Sequence, residues 1–330
     1  MHACRLARAA TMRDRILKFE GAYHGLHDAV LISVKPKLDE YGEERTPIAV
    51  PAGLGVAKGS VDSVVVAGFN DLPSVERRFE EHPNEIAAII IEPIMMNVGM
   101  CLPAPGFLQG LRDIASKYGA LLIFDEVKTG GKLDWGGASA YFGVKPDVIT
   151  LAKSIGGGLP LAVFGARKGV MELISRHEMF HGGTFNANCV SVFAGLATFR
   201  EVLTRANYAA VTRLSTKLSE GYKEIISSVG LEAYVATAGA NGALMLFPRK
   251  VRNYRDWMRI DSDLWRHYWF GMANRGIIAQ PYWWDEQWTI SVQHTDADIR
   301  SHLEAFRDLA PDLARAQAEN KTEQVSASGA

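Results

Sequence analysis

The feature that most constrains this chain is an alternation of short, continuous apolar runs with helix-like segments from residue 87 onward. Apolar runs occupy residues 87–93, 120–127 and 148–153. Residues 106–119, between the first two runs, have apolar side chains at helical spacing and a glycine where a C-terminal cap belongs. Continuous apolar strands separated by amphipathic helices are typical of a parallel sheet covered on both faces. The alternation therefore predicts an α/β fold with a mainly parallel sheet flanked by helices.

Ionisable side chains stand directly after these apolar runs. Asp125 and Glu126 follow the apolar residues that begin the second run, and Lys153 ends the third. Ligands of parallel sheets bind beyond the carboxyl ends of the strands. Taken singly, Lys153 could extend to water and Asp125 could cap the next helix. Taken together, a lysine able to form a Schiff base and a buried acid able to keep a pyridinium nitrogen protonated are the groups that pyridoxal phosphate chemistry needs.

Composition and charge narrow the class of protein. The net charge of −1 gives no electrostatic reason to expect nucleic acid or a membrane surface as partner, and no apolar run is long enough to span a bilayer. The three cysteines, Cys4, Cys101 and Cys189, are far apart and odd in number, which argues against a disulfide framework or a zinc site. We therefore expect a cytoplasmic enzyme without a metal site.

The length of 330 residues predicts one large and one smaller domain. From about Val202 the sequence pattern changes to longer helical stretches and then to a tryptophan-rich region. We therefore place the boundary between the two domains near Arg200. Residues 1–200 are predicted to form the cofactor-binding domain and residues 201–315 a smaller C-terminal α+β domain. Residues 316–330 have no periodic apolar face and are predicted to be a disordered tail.

Five segments together carry a family resemblance. They read FEGAYHG, IIIEPI, LIFDEVKTG, YFGVKPDVITLAKSIGGGLPLAVFGAR and HGGTFNANCVSVFAGLATF. In order from Met1 to about Leu309, the chain resembles class III pyridoxal phosphate-dependent aminotransferases, most of all the glutamate-1-semialdehyde 2,1-aminomutase branch. The resemblance implies a fold-type I transferase, pyridoxal 5′-phosphate as cofactor, small amino and keto substrates, and a homodimer with a shared active site.

The resemblance assigns the main chemical roles residue by residue. Lys153 forms the Schiff base with the cofactor and moves the proton between Cα and C4′. Asp125 pairs with the ring nitrogen, so these two residues are the predicted catalytic pair. Val127 presses on one face of the ring, although plain core packing would also explain a valine there. Thr184 resembles the threonine that binds the cofactor phosphate across the dimer interface.

Further contacts with the cofactor are implied around this pair. Tyr23 or His24 covers the opposite ring face, and Gly25 leaves room for the ring. Glu92 lies near the cofactor, and Asn97 is close to the ring in the aminomutase branch. Structural capping is the alternative explanation for Glu92 and Asn97.

The chain also departs from the family pattern. Its first residues, MHACRLARAAT, align just after the main phosphate-binding turn of the family, so we expect that N-terminal segment to be lacking. Lys132 stands near a position where relatives more often have arginine, and Gln280, Tyr282 and Trp283 occupy the loop near the substrate entrance. An alternative to a transaminase or aminomutase is therefore a non-catalytic or weakly cofactor-binding remnant that associates with a full-length relative.

Overall fold

The structure is a computed structural model that describes residues 1–37, 39–284 and 286–328, with side chains described as far as Asn320. Its contacts divide the chain into two units. The first unit comprises Met1–Asn97, Leu102–Thr204 and Arg252–Tyr254, and the second comprises the remaining described residues. The boundary predicted near Arg200 falls inside a π-helical turn that continues the preceding helix directly, and the chain passes to the second unit after Thr204.

A six-stranded sheet organises the first unit, with the strand order β4-β1-β5-β6-β7-β8. Neighbouring strands are parallel except for β7 and β8, which are antiparallel, so the sheet is mainly parallel as predicted. The strands are β1 (Arg15–Phe19), β2 (Gly42–Glu43), β3 (Thr46–Pro47), β4 (Val64–Ala67), β5 (Ile86–Ile91), β6 (Leu121–Asp125), β7 (Val148–Leu151) and β8 (Val163–Ala166), of which β2 and β3 form a separate hairpin.

Helices accompany this sheet. The predicted helix after β5 runs over Phe107–Tyr118 and ends at Gly119, whose φ of 64° is left-handed, a conformation that glycine adopts without steric cost. The helices are α1 (His2–Thr11), α2 (Lys58–Asp62), α3 (Leu72–Glu81), α4 (Phe107–Tyr118), α5 (Gly137–Phe142), α6 (Lys168–Ser175) and α7 (Cys189–Ala197), together with a 3₁₀ turn (Lys153–Gly156) and the π-helical turn (Thr198–Val202).

The strands β5 and β6 are the buried centre of the unit. Every residue of both strands is buried, which explains why they read as continuous apolar runs instead of alternating ones. One face of the sheet is covered by α1, whose residues Ala3, Cys4, Leu6 and Ala7 are buried in the same hydrophobic cluster as Ile90 and Ile123. The carboxyl ends of β5 and β6 thus reach the same edge of the sheet on a rigid support.

The second unit is an α+β fold, as predicted for the C-terminal domain. Strands β9, β10 and β11 form an antiparallel sheet, and the helices cover it with a core that includes Tyr222, Trp265 and Phe306. The elements are α8 (Arg205–Val229), β9 (Tyr234–Ala238), β10 (Asn241–Met245), α9 (Tyr254–Trp257, beginning at the division between the units), α10 (Ser262–Ala273), β11 (Trp288–Thr289) and α11 (Asp296–Ser328).

The segment predicted from Ala316 to be a disordered tail overlaps the last helix of the structure. Helix α11 continues to Ser328, and only residues 329–330 of the predicted tail lie outside the described backbone. Polar side chains supply contacts that a search for an apolar face cannot detect. Gln317 exchanges two hydrogen bonds with the main chain of Glu232, at 2.8 and 3.0 Å, and Asn320 donates to the carboxylate of Asp261 at 2.8 Å.

Among the described residues, no helix combines the length and the apolar character that crossing a membrane requires.

Candidate active site

Asp125 is the last residue of β6, and its carboxylate is held by three donors. His24 Nδ1 lies 2.7 Å from Oδ2, whereas the Thr150 hydroxyl and the Val127 amide donate to Oδ1 at 3.0 and 3.1 Å. The sheet itself places Thr150, because Asp125 and Thr150 are register partners in the parallel pair β6–β7. The acid predicted from the sequence is therefore fixed in orientation by a neighbouring strand, by its own backbone and by a distant turn.

The charge state of Asp125 follows from these contacts. Burial by itself raises the pKa of the carboxyl, but the hydrogen bond and charge of His24, with the Val127 and Thr150 donors, hold the pKa below its ordinary value. The carboxylate is therefore ionised near neutral pH although it is only 7% exposed. A buried, ionised acid is the group required to keep a pyridinium nitrogen protonated.

His24 lies in the turn after β1. Its Nδ1 is engaged by Asp125, and its buried Nε2 has no hydrogen-bond partner within the described part of the chain. An in-plane hydrogen bond leaves the faces of the imidazole free, so covering of a ring face by Tyr23 or His24 stays a prediction. Gly25 follows with a φ of 97°. Apart from its chain neighbours, no described heavy atom lies within 4 Å of the position that a Cβ would take there.

Glu92 follows β5 and joins two segments of the site. Its carboxylate accepts hydrogen bonds from the amide of Tyr23 at 3.0 Å and from Asn97 Nδ2 at 2.8 Å, with a longer one from the amide of Met96 at 3.3 Å. Burial raises the pKa of this carboxyl despite those donors. The contacts agree with the capping alternative for Glu92 and Asn97, and a direct contact with the cofactor stays a prediction.

Lys153 lies just beyond β7, which ends two residues earlier than the apolar run. It begins the 3₁₀ turn with a left-handed φ of 53°, an uncommon conformation for a side chain other than glycine. The next residue, Ser154, donates to the main-chain oxygen of Gly130 at 2.7 Å and so attaches this turn to the loop after β6. Lys153 is exposed, so its side chain is accessible to a ligand at the edge of the sheet where Asp125 ends β6.

The other predicted residues take different positions. Val127 is half-buried, and its amide serves Asp125. Thr184 lies in an exposed loop before α7, and its contact with the cofactor phosphate stays a prediction. Gln280, expected near the substrate entrance, is 4% exposed and donates to the main-chain oxygen of Glu286 at 2.7 Å, whereas Trp283 is 57% exposed.

Sequence reasoning missed two partners of this site. Thr150 was read only as part of an apolar run, although a hydroxyl three residues before the lysine is a detectable signal. Glu126 was noted without a role, and the structure buries its carboxylate against the amide of Ala138 at 2.7 Å, which fixes the glycine-rich loop between β6 and α5.

The Thr150 hydroxyl yields a test of the electrostatics. Asp125 has a lowered pKa in the folded state, so it stabilises the fold above its unfolded pKa of about 3.9, and this contribution is lost as the pH falls through the folded pKa. We expect Thr150→Val to lower the free energy of unfolding by about 1 kcal/mol at neutral pH. The deficit should shrink on acidification, because both proteins then protonate Asp125. Urea unfolding at neutral and acidic pH measures it.

Thr237→Val is the matched control for that test. The hydroxyl of Thr237 donates to the uncharged main-chain oxygen of Asn241 at 3.0 Å. Its loss should cost a similar amount at every pH in the range. A pH-independent deficit in Thr150→Val would contradict the proposed support of an ionised Asp125.

The fold and this edge of the sheet define a class of enzyme. A mainly parallel sheet that carries an ionised acid after one strand and a lysine after the next is the arrangement of fold-type I pyridoxal phosphate-dependent transferases. The family model for class III aminotransferases matches residues 1–262. The chain belongs to the class III aminotransferase family.

Relatives of known sequence agree with this membership. A glutamate-1-semialdehyde 2,1-aminomutase of Desulforudis audaxviator is 38% identical over 309 residues, which are 93% of this chain and 70% of that protein. A glutamate-1-semialdehyde 2,1-aminomutase 2 of Anoxybacillus flavithermus is also 38% identical, over 93% of this chain and 69% of its own length.

Solved structures give the same result. An omega-transaminase from Sphaerobacter thermophilus superposes with a TM-score of 0.88 at 33% identity, covering 96% of this chain and 72% of that one. A glutamate-1-semialdehyde aminomutase from Pseudomonas aeruginosa PAO1, solved in complex with PMP, has a TM-score of 0.82 at 26% identity, over 94% and 69% of the two chains. The predicted fold class and family are confirmed, and so is pyridoxal 5′-phosphate as the cofactor.

Proposed function

We propose that this protein transfers an amino group between small amino and carbonyl compounds, with Lys153 and Asp125 as the catalytic residues. The observation that carries the proposal is the ionised Asp125 carboxylate, held by His24 and Thr150 at the end of β6, beside the strand after which Lys153 follows. The residues present fit pyridoxal phosphate, since an oriented acid, an accessible lysine and open space at Gly25 lie in the same unit.

When bound, pyridoxal phosphate supplies an electron-accepting ring that stabilises negative charge next to the substrate nitrogen. Asp125 keeps the ring nitrogen protonated, and His24 and Thr150 keep the carboxylate oxygens oriented for that task. Lys153 Nζ binds the cofactor in the resting enzyme. During the transfer the same nitrogen would carry the proton between the substrate Cα and C4′ of the cofactor. Tyr23 covers the ring, with its main chain fixed by Glu92.

Two reactions share this apparatus. The curated relatives are named as aminomutases, which supports an intramolecular transfer, whereas the omega-transaminase superposes with the higher TM-score of the two structures compared above. We favour transfer between two different molecules as the activity and the aminomutase branch as the line of descent.

The test of the function incubates the purified chain with pyridoxal phosphate and one of two substrate sets. The first set pairs an amino donor with a keto acid or aldehyde, and the second is glutamate 1-semialdehyde alone. We expect an amino product with the donor and acceptor pair. Turnover of glutamate 1-semialdehyde alone would support the mutase instead, and no tight binding of the cofactor would support the remnant that associates with a relative.

A homodimer is the proposed assembly. Helix α7 leaves most of its apolar side chains exposed, including Phe193 at 69% and Val190 at 66%, and Phe185 in the preceding loop is 83% exposed. A contiguous apolar surface of this kind marks an association site. This apolar surface adjoins the loop of Thr184, the residue expected to bind the cofactor phosphate of the neighbouring subunit. A two-fold dimer formed through this surface would bring Thr184 of one subunit to the active site of the other. A cytoplasmic location also stays a prediction.

Phe193→Glu tests the assembly. A buried glutamate at an apolar interface would be desolvated without a partner, so we expect the variant to lower the dimer association constant by about a hundredfold or more. Sedimentation velocity over a range of concentrations measures this constant. Leu54→Glu is the control, because Leu54 is fully exposed in another part of the unit. Equal effects of the two variants, or a wild-type protein that is monomeric with cofactor bound, would contradict the proposed interface.

A further inference from the structure

Lys18 is a buried lysine that the chemistry described above does not use. It lies on β1, between β4 and β5, and none of its surface is exposed. Its ammonium group donates to the main-chain oxygen of Ala22 at 2.8 Å and to that of Ile32. Lysine is seldom buried completely unless it has partners or a task, because desolvating its charge is costly. The position of the two acceptors indicates the task.

Both acceptors belong to the chain segments that form the turn after β1. Ala22 immediately precedes Tyr23 and His24, and Ile32 lies where the chain returns past the same turn. A backbone hydrogen bond of 2.8 Å from Gly21 to Ser33 joins the two segments a second time. The turn is thus tied to the returning segment by the Lys18 ammonium and by the Gly21 amide.

Close packing leaves the turn little room at its start. Gly21 has a left-handed φ of 82°, and a Cβ there would come within 2.5 Å of the ring of Tyr254. The backbone of the turn is therefore restrained both by this aromatic ring and by the hydrogen bonds of Lys18.

The geometry of this turn decides the geometry of the cofactor site. The Tyr23 amide donates to Glu92 at 3.0 Å, and His24 Nδ1 lies 2.7 Å from Asp125. Hydrogen bonds of this length weaken steeply with distance and angle. A displacement of the Ala22 carbonyl would therefore disturb the support of Asp125 and the placement of Tyr23 together.

Charged neighbours and burial act on Lys18 in opposite directions. Burial lowers the pKa of Lys18 to about 7, although the carboxylates of Glu92 and Glu20 favour its charged form. The charge of Lys18 therefore depends on its burial and on these two carboxylates, whereas an exposed lysine would stay charged throughout the neutral pH range.

We propose that Lys18 is a positioning residue of the cofactor site, whose buried amino group fixes the turn that carries Tyr23 and His24. The inference rests on the function proposed above, because that turn matters for activity only if the site binds the cofactor. Lys18 itself is not expected to touch the cofactor or the substrate.

Lys18→Met tests the proposal, because methionine fills a similar volume without donating hydrogen bonds. Hydrogen–deuterium exchange of the whole chain, followed by peptide, reports the turn before any cofactor is added. We expect exchange in residues 20–25 to accelerate about tenfold or more relative to wild type, with β5 unchanged. With pyridoxal phosphate, the dissociation constant should rise by about tenfold. Leu17→Met, at an equally buried position of the same strand, should change neither quantity.

Unchanged exchange in the turn would overturn the proposal, and so would a loosened turn with unchanged cofactor affinity. The proposed function fails in a different way: the wild-type chain would then bind no cofactor, while exchange in the turn would still show whether Lys18 holds it.

A measurement on the wild-type protein covers the case in which Lys18→Met does not fold. The carbonyls of Ala22 and Ile32 share a peptide bond with the amide nitrogens of Tyr23 and Ser33. In a pH titration, the NMR chemical shifts of those two nitrogens should therefore change with the same midpoint as the Lys18 side chain. Amides that do not shift when the Lys18 side chain titrates would contradict the proposal.

Discussion

Replacing Lys153 with alanine is expected to remove both the covalent attachment of pyridoxal phosphate and nearly all amino-group transfer. Lys153 is the exposed residue that follows β7, next to the strand that Asp125 ends. In the proposed function it supplies the nitrogen that binds the cofactor and carries the proton. A positioned general base contributes up to about 10⁴-fold, so we expect the rate to fall by about 10³-fold or more. The visible absorption band of the lysine-bound cofactor should vanish in the same variant.

Lys168→Ala is the control for this experiment. The Lys168 side chain is 92% exposed at the start of α6, where its contact with Glu172 is a surface ion pair at 3.9 Å. Such pairs contribute little, so stability, absorption and rate should stay close to wild type. An absorption band that persists in Lys153→Ala would contradict the assignment of the lysine.

Asp125→Asn is expected to have the second-largest effect, a fall in rate of at least about a hundredfold. The substitution keeps the size of the side chain but removes the negative charge that we propose keeps the ring nitrogen protonated. It also replaces one acceptor oxygen with an NH₂ group, so one of the donors from His24, Thr150 and Val127 loses its partner. Steady-state kinetics and cofactor absorption together measure the loss.

The matched control is Asp147→Asn. Asp147 is also a largely buried carboxylate, but it lies just before β7 and accepts hydrogen bonds from Arg112 at 2.6 Å and from the Leu122 amide at 2.9 Å. Removing its charge should lower the free energy of unfolding without changing the cofactor spectrum. If both variants lost activity in the same proportion to their loss of free energy of unfolding, Asp125 would act only by stabilising the fold.

The sequence predicted the sheet and its functional edge because both follow from local patterns. Strands buried on both faces are continuous apolar runs, and the residues that end them, such as Asp125, are readable as the first ionisable groups after each run. The helix Phe107–Tyr118 was likewise predictable from its spacing and from Gly119.

Contacts between distant parts of the chain were not predictable in this way. His24 and Asp125 are 101 positions apart, and only the folded chain shows that the imidazole hydrogen-bonds the acid. The role of Thr150 depends on the register of two parallel strands, which an apolar run does not reveal.

The remaining differences have physical causes of the same kind. A strand pattern could not show that Lys153 adopts a left-handed turn, since that conformation depends on how Ser154 attaches to Gly130. Composition predicted disorder from Ala316, and it could not reveal the hydrogen bonds of Gln317 with Glu232 and of Asn320 with Asp261.

The central claim is that this chain uses Lys153 to hold pyridoxal phosphate, and borohydride reduction tests it most directly. Reduction fixes the cofactor permanently to the lysine that carries it, and peptide mass spectrometry then identifies that residue. We predict the phosphopyridoxyl group on Lys153 alone, with no labelled peptide in Lys153→Ala. A label on another lysine such as Lys18 or Lys128, or a wild-type protein that takes up no label at saturating cofactor, would contradict the account.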